Sequence, residues 1–243
     1  MGLIITLVLG IFIVIGAVIT FASKNNNKFV NFSISLAFSV MIMLMLIDLL
    51  PEVKEHFFVD GTLFEKIISI VSIAAGIVIL KILDFFIPEH DGHEKKELNH
   101  IGLISSIALV LHNIIEGMAV YTTVSNSLSS GLLMCLGIGL HNIPLGMVIT
   151  STFYKATNNE KKTWILIIGV SLSTFVGGLI AMFLNGIFTN PLVFGILLCI
   201  TLGMLIYITI FELLPKIKEM KNKKIALSGI VTGIVLILIT MFI

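Results

Sequence analysis

The sequence predicts an all-α integral membrane protein, with eight transmembrane helices and an inverted-repeat-like symmetry. Three observations predict it. Mean hydropathy is +1.12 and only 12% of the 243 residues are charged, where soluble domains carry about 25%. Eight apolar runs follow one another, at about 2–22, 30–50, 63–87, 101–124, 128–153, 163–188, 191–214 and 225–243, and a bilayer crossing needs roughly 20 such residues. All 15 basic residues are lysine, and twelve of them fall in the loops after the first, third, fifth and seventh runs.

Each run has its own punctuation. The first is too long for a signal-peptide core and lacks a basic leader, so it reads as a spanning helix. Ser23-Lys24-Asn25-Asn26-Asn27-Lys28 separates it from the second, which ends Asp48-Leu49-Leu50-Pro51-Glu52. The third runs to a polar loop at 88–100, Pro-Glu-His-Asp-Gly-His-Glu-Lys-Lys-Glu-Leu-Asn-His. The fourth and fifth carry the polar motifs described below. Asn158-Asn159-Glu160-Lys161-Lys162 precedes the sixth, and Thr189-Asn190-Pro191 precedes the seventh. The seventh ends Glu212-Leu213-Leu214-Pro215, echoing the end of the second. Exchange of the second with the seventh, and of the fourth with the fifth, is what an inverted repeat would produce. No soluble domain fits in the remainder, so 1–243 reads as one membrane domain.

The lysine bias places the odd-numbered loops in the cytoplasm and both termini outside it. Expected localisation is therefore the cell membrane, multi-pass, with the lipid bilayer as the main partner. The lack of arginine speaks against nucleic acid, which calls for basic, bidentate donors. Cys135 and Cys199 sit in apolar runs and read as small buried hydrophobes.

The chemistry concentrates in two copies of one pattern. The fourth run holds Leu111-His112-Asn113-Ile114-Ile115-Glu116-Gly117, and the fifth Leu140-His141-Asn142-Ile143-Pro144-Leu145-Gly146. Ionisable groups at mid-bilayer cost about 2.5–3.5 kcal/mol each and are functional candidates by default. His112 and Glu116 are four residues apart and share a helix face. Imidazole with carboxylate is a usable ligand pair for zinc or a similar divalent ion. His141 repeats the imidazole at matching depth, and Asn113 and Asn142 add carbonyl oxygens. Pro144 removes a backbone donor and frees the carbonyl of Leu140. The bland alternative is hydrogen-bonded packing, worth about 0.6 kcal/mol per interhelical contact; the doubled motif with Glu116 argues against it.

Other candidates are weaker. Asp48 and Glu212 stand near helix ends as pathway or gate carboxylates on the way in, or as plainly solvated acids. His90, His93 and His100 in the 88–100 loop form a loose metal-binding set or an ordinary charged loop.

These residues resemble the ZIP family of divalent-metal transporters. The motifs carrying the resemblance are His112 to Gly117 and His141 to Gly146, flanked by Asp48-Leu49-Leu50-Pro51-Glu52 and Phe211-Glu212-Leu213-Leu214-Pro215. The resemblance implies uptake of zinc, iron, manganese or a related ion toward the cytoplasm. It also implies helices 1, 4, 5 and 6 moving against helices 2, 3, 7 and 8, often in a homodimer, with no prosthetic group. Two positions depart from the family pattern. Leu145 stands where a glutamate is usual, and Gly177, after Leu172-Ser173-Thr174-Phe175-Val176, where a sixth-helix acid is expected. Both acids would help hold a second ion, so one metal site is expected here, built from His112, Glu116 and His141 with Asn113 and Asn142 assisting. The rival readings are a zinc-dependent intramembrane hydrolase and a non-transporting metal sensor using the 88–100 loop.

Overall fold

The computed structural model describes residues 1–23, 26–87, 94–184 and 190–241. It holds eight long helices: α1 (Gly2–Ala22), α2 (Asn27–Val59), α3 (Leu63–Phe86), α4 (Glu94–Asn126), α5 (Leu128–Thr157), α6 (Glu160–Phe183), α7 (Pro191–Glu219) and α8 (Lys223–Thr240). All eight are long and apolar enough to cross a membrane.

Helix starts follow from short polar residues that cap free backbone N–H groups. Asn26 accepts from Phe29, Asn159 from Lys162 and Asn190 from Leu192. Thr62 and Glu65 form a reciprocal capping box that opens α3. Asn158 takes a left-handed conformation, φ 49°, and ends α5.

Proline does not end α2 or α7. Both pass instead into a π-helical stretch just before it, Met45–Leu49 ahead of Pro51 and Ile208–Leu213 ahead of Pro215. A wider turn is one way a helix absorbs the bond proline cannot make. Each stretch holds the acid of its motif, Asp48 or Glu212.

The helices form two groups. In one, α1, α4, α5 and α6 pack on one another; in the other, α2 pairs with α8 and α3 with α7. Exchanging α1 with α6, α2 with α7, α3 with α8 and α4 with α5 maps the strong packings onto each other: α1 on α5 becomes α6 on α4, and α2 on α8 becomes α7 on α3. The closest approaches obey the same exchange. A Cβ on Gly117 would overlap the Thr174 carbonyl, and one on Gly177 the Ile114 carbonyl; Gly146 meets Ile13 and Gly16 meets Ile143 in the same reciprocal way. In the second group Gly76 meets Ile200 and Gly203 meets Ile73. Backbone-to-backbone seams thus knit each group internally.

The outer faces of α3 and α8 present large apolar side chains, among them Ile70, Val71, Phe85, Leu227 and Ile239. Such faces suit contact with lipid tails.

Candidate metal centre

α4 and α5 pack side by side and bring their motifs together at mid-length. One oxygen of Glu116 lies 2.8 Å from His112 Nε2 and 3.0 Å from His141 Nε2. The ligand atoms of all three lie within 4.8 Å of one another. Zinc bonds of about 2.0–2.1 Å in a tetrahedron set ligands about 3.3 Å apart, so small adjustments suffice to admit an ion. The His112 contact is close yet poorly aligned for a hydrogen bond, leaving Nε2 unsatisfied in that sense.

Asn142 Nδ2 donates to the second Glu116 oxygen at 3.5 Å, and Asn113 Nδ2 donates to the Val170 carbonyl at 3.3 Å. Both asparagines are fully buried, and the Oδ1 of each has no hydrogen-bond partner. Asn142 thus stands beside the carboxylate, whereas Asn113 is turned to α6, and neither asparagine lines the cavity that the cluster faces. A buried acceptor without a partner is costly and marks a place that another group can fill.

The cluster faces a cavity of about 370 Å³ between the two helix groups. Asp48 and Glu52 of α2, Phe194 of α7 and Met241 beyond α8 line its outer part. Those positions belong to the end of the molecule away from the lysine-bearing loops. His112, His141 and Glu116 form its floor.

Leu145 is 1% exposed and packs in the main apolar core with Val148 and Ile149. It is the repeat partner of Glu116, so one of the two symmetric places offers a carboxylate and the other a wall of carbon. Gly177, where the resemblance expects an acid, has its Cα against the Ile114 backbone, and its repeat partner is Gly16. A Cβ there would overlap the Ile114 carbonyl, so in this chain the position serves close packing of α4 on α6.

Two further expectations change. His100 is not in a loop: α4 starts at Glu94, and His100 is buried within it. The first turn, Glu94-Lys95-Lys96-Glu97, is too polar to join an apolar run, which hid the extra turns from hydropathy. Glu212 does not share an end with Asp48. It lies 3.6 Å from His100 Nε2, which also meets Asp84 Oδ1 at 2.6 Å. His112 stands 12 positions after His100, and at about 1.5 Å of rise per position this second cluster lies roughly 18 Å from the first. His90 and His93 lie outside the described residues.

Asp84 and Tyr207 were not among the candidates read from sequence. Tyr207 donates its hydroxyl to Asp84 Oδ2 at 2.6 Å. The available signal was an acid 21 residues into the third apolar run.

The family model described as ZIP zinc transporter matches residues 87–241. Along nearly the whole chain, curated relatives match as well. Zinc transporter ZupT of Chlorobium chlorochromatii is 31% identical over 253 residues, covering 97% of this chain and 94% of the relative. The ZupT proteins of Clostridium perfringens and Streptococcus mutans are each 28% identical, over 270 and 253 residues, covering 99% and 98% of this chain and 95% of either relative. With its eight spans and doubled His-Asn motif, the chain belongs to the ZIP zinc transporter family.

Proposed function

We propose that the protein carries a divalent transition-metal ion, zinc first, across the cell membrane toward the lysine-bearing, cytoplasmic side. The observation that carries this reading is the meeting of His112, Glu116 and His141 on the floor of a cavity open at the opposite end. The printed names of the relatives are zinc transporters, which supports transport over the hydrolase reading.

The physical sequence is short. Asp48 and Glu52 give the cavity mouth negative potential and raise the local cation concentration. The ion sheds water as two imidazole nitrogens and a Glu116 oxygen replace it. Asn113 and Asn142 supply neutral oxygens alongside. One carboxylate and two neutral imidazoles leave a divalent ion with one uncompensated positive charge, which favours release over permanent capture. Nitrogen donors also favour zinc-like ions over magnesium and calcium, which prefer oxygen.

Zinc entry into dye-loaded proteoliposomes tests this. Glu116→Ala is expected to lose entry at least about 100-fold while keeping its size-exclusion profile, since the one anion serving both histidines is gone. Entry at the wild-type rate in that variant would overturn the assignment.

A further inference from the structure

The exchange that relates the two halves of the fold pairs Asp48 with Glu212, each inside a π-helical stretch ahead of a proline. Their surroundings differ. Asp48 is exposed to the cavity and has no ion pair within 4 Å among the described residues. Glu212 is held near His100, which grips Asp84, which accepts the Tyr207 hydroxyl.

This chain of contacts crosses the boundary between the helix groups. His100 belongs to α4 of the metal-bearing group; Asp84, Tyr207 and Glu212 belong to α3 and α7 of the other. Beside it, Lys216 of α7 pairs with Glu97 of α4 at 2.6 Å, again across the boundary. The glycine seams described above lie within the groups; here the groups meet through these polar side chains beside a buried apolar cluster that both share, including Leu80, Leu98, Ile101 and Leu213. Side-chain contacts of this kind can part and re-form without disturbing either group.

We propose that Asp84, His100, Tyr207 and Glu212 form a latch that closes the lysine-bearing end while the opposite end stands open, and that it must part before metal leaves the central site. The inference rests on the transport reading above. His100 Nε2 meets both acids at ion-pair distance, which offsets part of the burial cost of the charged members, while His100 Nδ1 has no hydrogen-bond partner. With the latch parted, these groups regain water in an opened mouth. The latch residues touch neither the ion nor its ligands in the central site, and act by positioning one helix group against the other.

The test uses full-length protein in proteoliposomes. Asp84→Cys with His100→Cys, in a Cys135→Ala, Cys199→Ala background, allows a short reducible thiol cross-linker to hold the junction shut. Cross-linking is expected to cut zinc entry at least about tenfold, as fixing one of two alternating states requires, and reduction is expected to restore it. Zinc bound per molecule should stay the same. Unchanged entry after cross-linking overturns the latch, and so does loss of bound zinc, which would make these residues ligands.

Should the cysteine pair itself fail to fold, Tyr207→Phe keeps both charges and removes one hydrogen bond. Its maximal entry rate is expected to rise about threefold with KM unchanged within about twofold, the split a weakened closed state gives. A rate equal to wild type or below it overturns the proposal. If wild type moves no zinc, the transport reading itself fails; if wild type moves zinc and these variants behave alike, only the latch fails.

Discussion

The two buried clusters both set histidine against carboxylate, yet they are supplied differently. His112, Glu116 and His141 come from α4 and α5, neighbours inside one knitted group. Asp84, His100, Tyr207 and Glu212 come from both groups. Each cluster keeps buried polar atoms without a hydrogen-bond partner, the Oδ1 atoms of Asn113 and Asn142 around the first and His100 Nδ1 in the second. In the second, the acids lie against a histidine from across the boundary, and Asp84 also against a phenol. Ligand chemistry alone does not separate the two roles proposed above, since the ligand atoms of Asp84, His100 and Glu212 also lie within 4.8 Å of one another. What separates them is whether the contributing helices belong to one body or to two, and whether the polar groups face a cavity or each other.

Several substitutions break or sharpen that contrast. The largest effect belongs to Glu116→Ala described above, with Glu212→Gln as its counterpart: the latter is expected to keep zinc stoichiometry and affinity within about twofold, because it lies roughly 18 Å away. Equilibrium dialysis of both variants decides it, and equal loss in both would erase the distinction.

Next comes the packing seam. Gly177→Ala forces a methyl group into the Ile114 backbone and is expected to destabilise by about 1–3 kcal/mol or more, as overpacking does. Its melting temperature in detergent should fall, and Gly16→Ala should fall comparably because the exchange relates the two. Melting unchanged in either would mean the helices separate readily there.

Leu145→Glu places a second carboxylate opposite Glu116, and is expected to raise bound zinc from one ion to two per chain when the asparagine oxygens assist. A buried acid without its ion carries a cost of several kcal/mol, so the variant should be markedly more stable with zinc than without. Isothermal titration that still returns one ion would show that the Asn113 and Asn142 oxygens cannot complete a site.

Acidification acts on the first cluster through its nitrogens. Imidazole must be unprotonated to bind metal, so affinity should drop on going from pH 7.5 to 5.5, by about tenfold for each histidine that gains a proton. The sign is fixed: protons compete with the ion, so binding weakens as pH falls. Flat affinity across this range would argue that the histidines do not ligate. Smallest of all is Glu97→Ala, which removes the partly exposed partner of Lys216. It should change stability by no more than about 1 kcal/mol in thermal denaturation, as surface ion pairs do; a drop of several times that would make the pair part of the buried closure.

Much of the fold was legible because the bilayer imposes long apolar runs, and lysine alternation kept their count in phase. The central cluster was legible because four-residue spacing fixes a helix face and the motif occurs twice. The rest was hidden for identifiable reasons. The start of α4 is a charged turn beyond the apolar segment, which left His100 looking like part of a loop. Tyr207 and Asp84 are 123 residues apart in the chain, a pairing that no local pattern encodes. Gly177 was read by motif position; its close approach to the Ile114 backbone depends on another helix and has no local sequence cue. The π-helical stretches had a cue in Pro51 and Pro215, but proline signals a lost hydrogen bond without saying how the helix absorbs it.

The reciprocal glycine seams have one more consequence, in how the molecule responds to heat. A seam of backbone against backbone freezes almost no side-chain rotamers, because glycine has none to lose. The junction between the groups freezes long ones, such as Lys216 and Glu97, and the penalty for holding them grows in proportion to temperature. Warming therefore loosens the junction before it loosens either group, so that each group persists as a rigid body while the contacts between them become easier to exchange.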